Sequence, residues 1–246
     1  MIDTAIVVGT YGTAPYVHLQ LESWRRFAAD CPLIVHDDSS PDRPRLENLC
    51  NRYGAEYYST PQRLDRLSAD GGHLVGYNGD HDCYPVGADF AARHGCRWLV
   101  KISRRYVLTL PWLEQLRTLI AGEPFPAWSG WDEGSGYGFV TFLIAMDVQR
   151  LALAIAELRD FVQAGRHAHP ETFVHDCIER ATAVKRPSYH GSRDCVGHWP
   201  LATIEREWWW PPDRVCHHDQ FRSYAAVARA WGLDYTAEDF YVGPGW

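Results

Sequence analysis

The densest chemistry in the sequence lies at residues 91–106. A helix end running into Gly95 leads to the short apolar strand Trp98-Leu99-Val100-Lys101-Ile102, and this opens onto Ser103-Arg104-Arg105. Lys101 is the one charge inside that strand, and an ammonium buried without a partner is costly. Paired arginines at a strand's carboxyl end stand where open α/β sheets keep their ligands. Guanidinium forks and a lysine point charge suit a diphosphate. The same residues also fit a basic strand end paired with some of the chain's 31 acidic side chains. General-base chemistry needs a carboxylate within hydrogen-bond reach of the hydroxyl it deprotonates. Candidates are Asp132 and Glu133, and Glu171 and Asp176 on a later helix, each with a cap or surface charge as the alternative. Glu171 and Asp176 lie five apart, so both cannot point at one substrate atom. His175 adjoins Asp176 but diverges from it on a helix.

Two further groups share the sheet edge that this strand defines. Asp37-Asp38-Ser39 follows an apolar run, where a carboxylate can accept from a ribose hydroxyl or a base N–H, or instead form the turn and cap of the next helix. Thr10, Tyr11 and Gly12 end the first apolar run and could wrap a base or its ribose. There is no G-x-G-x-x-G and no G-x-x-x-x-G-K-[ST], which excludes the usual dinucleotide fingerprint and the P-loop. His217-His218-Asp219 would suit Mn or Mg only with more oxygen ligands, and no carboxylate motif adjoins it. Trp208-Trp209-Trp210 fits either packing or a stacking platform.

The elements that must position these residues alternate regularly at first. Residues 4–9 read as a buried strand, 15–28 as an amphipathic helix, 32–36 as a strand, 43–53 as a helix and 55–58 as a strand. This β-α-β-α-β order predicts a doubly wound sheet with right-handed crossovers. Residues 61–82, rich in glycine and with four aspartates, break the rhythm and predict a loop with a short helix of the kind that carries binding residues. Helices are expected over 85–94, 111–120, 147–163 and 220–231, with another opened by His169-Pro170-Glu171. A flexible Trp-lined loop over 128–137 is expected to enter a buried strand at 139–146.

With 246 residues, 46% of them hydrophobic, the chain can bury one large core. A net charge of −7 argues against a broad nucleic-acid surface. No apolar run reaches the length of a membrane span, and residues 1–3 begin no signal peptide. Seven cysteines without a Cys-x-x-Cys pair predict reduced thiols in a cytoplasmic protein and no structural zinc.

Taken together, Ile6-Val7-Val8-Gly9-Thr10-Tyr11, Leu33-Ile34-Val35-His36-Asp37-Asp38-Ser39-Ser40-Pro41-Asp42 and the helix-strand element over 91–106 resemble the GT-A glycosyltransferase superfamily of nucleotide-diphospho-sugar transferases. The resemblance covers residues 4–150 well and the rest in outline. It implies an α/β, Rossmann-like, mostly parallel central sheet flanked by helices, with an irregular C-terminal acceptor region. One domain is expected, residues 1–125 forming the nucleotide-binding half and 126–246 the acceptor-binding half. By position, Thr10 and Tyr11 would line the nucleotide, with Asp37, Asp38 and Ser39 at the base or ribose. Where the family carries its metal-binding Asp-x-Asp, this chain has Ser103-Arg104-Arg105. The departure implies an enzyme with no metal or other cofactor, in which Lys101, Arg104 or Arg105 neutralises the leaving diphosphate. Glu171 or Asp176, with Asp132 in reserve, would be the base of an inverting transfer from a nucleotide-sugar donor to a small-molecule or glycan hydroxyl. The alternatives are a catalytically inactive nucleotide-sugar binding protein and a related nucleotidyltransferase.

Overall fold

The computed structural model describes residues 3–12, 14–67, 74–104, 106–109, 111–122, 125–132, 138–182, 196–199 and 217–240. Strands β1 (Thr4–Thr10), β2 (Leu33–Asp37), β3 (Glu56–Ser59), β6 (Trp98–Ser103), β7 (Ala127–Asp132), β8 (Gly138–Asp147) and β9 (Val196–Trp199) form one sheet in the order β3-β2-β1-β6-β8-β7-β9. The pairs β3–β2, β2–β1, β1–β6 and β7–β9 are parallel, and β8 runs antiparallel to both β6 and β7. A small hairpin, β4 (Arg66–Leu67) with β5 (Leu74–Gly76), stands apart.

Alternation along the parallel strands divides the core. Ile6, Val8, Leu33, Val35, Val100 and Ile102 face helices α1 (Ala14–Phe27), α2 (Arg43–Tyr53) and α4 (Trp112–Gly122). Ala5, Val7, Ile34 and Leu99 face helix α3 (Asn78–Arg93). That helix lies close on the sheet. A side chain at Gly87 would stand 2.9 Å from Leu99 and Val7, and one at Gly9 would stand 2.7 Å from Cys83 Sγ. Helices α5 (Ala152–Gln163) and α6 (Pro170–Thr182) complete a second cluster with β7 and β8. On the other side of the molecule, α7 (His217–Ala230) and a 3-10 turn (Glu238–Phe240) pack Tyr224 and Phe240 against Tyr16 of α1.

Several boundaries differ from the sequence reading. Helix α3 begins at Asn78, not residue 85, and runs through Pro85, whose ring removes the N–H that would bond the His81 carbonyl. Asp65, distant in sequence, accepts from the Gly79 N–H (2.8 Å) and supplies a cap that the local sequence does not announce. Residues 127–132 are strand rather than loop, because β8 offers them an antiparallel partner, and Trp128 is buried in the core. The rest of that expected loop, 133–137, lies outside the described residues, as does the tryptophan run at 208–210. Asp147 ends β8 instead of opening a helix: Oδ1 accepts from Gln149 N and Arg150 N (3.1 Å each), and Oδ2 pairs with Arg97 at 2.6 Å. The last helix starts at His217, three residues earlier than expected.

Candidate functional site

The carboxyl ends of β1, β2 and β6 meet the first turn of α3 and, near them, the first turn of α6. Strand alternation distributes the expected residues over two faces. His36, Asp38, Gly9, Lys101 and Ser103 project toward α3, whereas Thr10, Asp37 and Arg104 project toward α1.

Asp37 and Asp38 are both buried, and their carboxylates are taken up inside the protein. Asp37 accepts from Ser40 N (3.0 Å), the Ser40 hydroxyl, Tyr57 OH (2.8 Å) and Ser59 Oγ (3.1 Å). Ser40 Oγ in turn accepts from Gly12 N at 2.7 Å, so Asp37 holds the loop after β1 in place. Asp38 accepts from Leu64 N (2.6 Å), Asp65 N (3.0 Å) and Thr60 Oγ1 (3.2 Å), and folds residues 60–65 around itself. Of the two roles open to this pair, the turn-forming one accounts for these contacts. Ser39 has a left-handed backbone (φ 60°), and its hydroxyl accepts from Arg43 at 3.1 Å. Thr10 is buried, while Tyr11 is half-buried under the Arg63 guanidinium, 3.8 Å from its ring centre.

Lys101 is fully buried and bonded to Asp80, with Ser103 Oγ at 3.1 Å and the Tyr84 ring centre at 5.7 Å. Arg104, also buried, lies 5.6 Å from the Tyr16 ring centre, and its carbonyl accepts from Gln20 Nε2 at 2.9 Å. Lys101 and Arg104 therefore approach the edge of β6 from opposite faces. Arg105 lies outside the described residues.

Of the base candidates, Glu171 stands at this edge. It is only 6% exposed, in the first turn of α6, with His169 Nδ1 2.8 Å from Oε2. Burial, with Asp80 adding to it, raises its pKa above the usual carboxylate value, while His169 and Lys101 pull it back. Asp176 lies about 7.5 Å further along the helix axis, where its neighbours are His175 and Glu179. Ligand atoms of those three approach within 4.8 Å of one another, but His175 and Glu179 are already paired at 3.6 Å. Asp132 ends β7, and its side chain lies outside what the structure describes.

Sequence reasoning marked residues 61–82 as a binding segment without singling out its members. The structure brings two of them to the edge. Asp80 holds Lys101, and Asp65 is pushed up to about 7 by burial and by the nearby Asp38 and Asp80 carboxylates. His81 forms a wall beside them, buried edge-on between Phe161 and Phe173 at 5.5 and 5.6 Å. Burial lowers its pKa to about 4, which keeps it neutral. His169, read only as a helix opener, was a further omission.

A mostly parallel sheet with ligand-type residues at its carboxyl edge places the molecule in the mixed α/β, GT-A-like class. No family model and no curated protein matches the chain. Among solved structures, 96% of the chain is similar to S. aureus TarS 1–349, covering 68% of it with a TM-score of 0.54 and 10% identity. Similarly, 95% of the chain matches glucosyl-3-phosphoglycerate synthase from Mycobacterium tuberculosis in complex with Mn²⁺, uridine diphosphate and phosphoglyceric acid. There it covers 80% of that protein, with a TM-score of 0.50 and 13% identity. At these identities the likeness is one of fold. The Mn²⁺ in that complex raises the question of a metal here. At the end of β6 this chain presents Ser103 and Arg104, and beside them Asp80, whose Oδ1 bonds Lys101 while its buried Oδ2 has no hydrogen-bond partner among the described residues. A hydroxyl and a guanidinium are a poor donor set for a hard divalent cation.

Proposed function

We propose that the protein transfers a sugar from a nucleotide-diphosphate donor to an acceptor hydroxyl, without a metal and with inversion. The observation that carries this reading is a buried carboxylate, Glu171, facing the Lys101–Asp80 pair at the carboxyl edge of a GT-A-like sheet, with the buried cation Arg104 ending the same strand on its other face. Glu171 takes the acceptor proton, the acceptor oxygen bonds to the anomeric carbon, and the bond from that carbon to the diphosphate oxygen breaks. Arg104, at the end of β6, stabilises the charge left on the diphosphate, while Lys101, already matched by Asp80, holds the first turn of α3 against the strand. The loop at Thr10 and Tyr11 receives the nucleoside. Residues 1–125 serve the donor and 126–246 the acceptor. The five described cysteines, all free, support a cytoplasmic setting, and no helix among the described residues is long and apolar enough to cross a membrane.

The test is calorimetric titration with nucleoside diphosphates and diphospho-sugars, with and without EDTA, on the wild type and Arg104→Ala. Binding unchanged by EDTA and weakened about tenfold or more in the variant is expected, since charge-assisted hydrogen bonds contribute roughly 1.5–3 kcal/mol. Strict dependence on Mn²⁺ or Mg²⁺ would overturn the metal-free reading. Binding without release of nucleoside diphosphate in the presence of any acceptor would leave an inactive binding protein.

A further inference from the structure

Beyond Ser103 the chain leaves the sheet, yet Arg104, Tyr106, Val107 and Leu108 are all buried. Carbonyls buried outside a helix or strand need donors from elsewhere. One face of α1 supplies them. Gln20, only 3% exposed, donates through Nε2 to the carbonyls of Arg104 (2.9 Å) and Tyr106 (2.8 Å), with the Ser103 carbonyl at 3.3 Å. An amide nitrogen carries two hydrogens, so this segment takes the whole donor capacity of the side chain. One turn further along α1, Ser23 donates to the Leu108 carbonyl, and one turn back, Tyr16 lies against the Arg104 guanidinium. From β1, the Gly9 carbonyl accepts from the Arg104 N–H at 3.0 Å. Both backbone groups of Arg104 are thus fixed by different elements, and its side chain by a third contact.

Building on the reading of Arg104 as the cation of the leaving diphosphate, we infer that Gln20 is its positioning residue. By holding the carbonyls of Ser103, Arg104 and Tyr106, it sets the backbone that aims the guanidinium before the donor arrives. Electrostatic stabilisation is strongest when the charge needs no reorganisation at the moment of reaction. An arginine on an irregular segment loses that advantage unless something fixes the segment, and here the strand ladder has already ended. Gln20 does this from within the core, without touching the donor. Its effect on the donor runs through Arg104, which sets it apart from a residue that merely stabilises the fold.

The experiment is a double-mutant cycle read by calorimetry with uridine and guanosine diphosphates. It compares wild type, Gln20→Met, Arg104→Ala and the pair, each well below its melting temperature. Gln20→Met nearly keeps the volume and removes the donor. It should weaken the nucleotide about tenfold in the wild-type background and have no further effect where Arg104 is already alanine. Ser23→Ala, which strands only the Leu108 carbonyl, should lower the melting temperature and leave affinity unchanged. A loss that adds to that of Arg104→Ala, no loss at all, or an equal loss in Ser23→Ala overturns the role of Gln20 and leaves the transferase reading standing. If Arg104→Ala binds as wild type does, the donor role of Arg104 falls and that of Gln20 with it. Absence of nucleotide binding in the wild type overturns the transferase reading as well. Gln20→Glu carries the test where Gln20→Met does not fold. Its protonated carboxyl donates one hydrogen bond and its carboxylate none, so its affinity relative to wild type should fall as pH rises through the titration of that carboxyl. A ratio that does not change with pH overturns the inference, as does the same fall in the Arg104→Ala background.

Discussion

At the scale of single residues, the acidic side chains of the edge divide by what already holds them. Asp37 and Asp38 accept from their own loops and, for Asp37, from Tyr57 and Ser59 of β3, and these bonds fix the chain around the edge. Asp80 is matched to Lys101, a pair that neither member could leave without stranding a buried charge. Asp65 differs: burial, with the Asp38 and Asp80 carboxylates adding to it, pushes it up to about 7. The folded state thus holds a proton on Asp65 up to about pH 7, whereas the unfolded chain releases it near pH 4. Between those limits the folded state binds more protons, so this group makes stability fall as pH rises. Asp65→Asn keeps an oxygen for the Gly79 N–H and removes the titration. Its stability relative to wild type should therefore climb from about pH 4 to about pH 7 and level off above. Urea denaturation at a series of pH values checks this, and parallel curves for the two proteins would refute it.

At the scale of elements, α3 decides whether the edge exists, because its first turn brings Gly79 against Asp38 and Asp80 to Lys101. Its seating depends on Gly87. A methyl group there meets Leu99 and Val7 at 2.9 Å, and both neighbours are fully buried, so neither can yield easily. Gly87→Ala should cost about 1–3 kcal/mol despite the better helix propensity of alanine, measured as a lowered denaturation midpoint with unchanged slope. A neutral or stabilised variant would mean that the helix rides higher on the sheet. The same helix marks the limit of what the sequence displays. The apolar runs of β1, β2 and β6 and the opening of α6 at Pro170 are legible, because burial and capping leave local patterns. The first two turns of α3 are not, since Asn78-Gly79-Asp80 and Pro85 carry loop signals that contact with Asp38 and Asp65 overrides. Likewise, Ser-Gly-Trp in β7 reads as a loop until β8 pairs with it. For Asp37 and Asp38 the turn role was legible as one of two, but their partners were not. Tyr57 and Ser59 reach Asp37 only because β3 lies parallel to β2 in one register.

For the molecule as a whole, the edge is tied to the far end of the chain. Arg104 lies against Tyr16, and Tyr16 meets Tyr224 and Phe240 edge-on at 5.1 and 5.2 Å, joining the end of β6 to α7 and the 3-10 turn. Phe240 is fully buried there, among Tyr16, Leu19, Val107 and Ala228. Phe240→Ala should cost about 3–5 kcal/mol of stability through the cavity it opens. If the tail also seats Arg104, the variant should bind nucleoside diphosphate more weakly even where it is fully folded, because Tyr16 loses one of the two rings that fix it. Leu116→Ala supplies the control: Leu116 is equally buried but belongs to the cluster under α4, away from Tyr16. Both variants should lose stability, and only Phe240→Ala should lose affinity in calorimetry well below its melting temperature. Equal affinities would make the C-terminal packing a matter of stability alone, with Arg104 held by α1 and Gln20 without help from the tail.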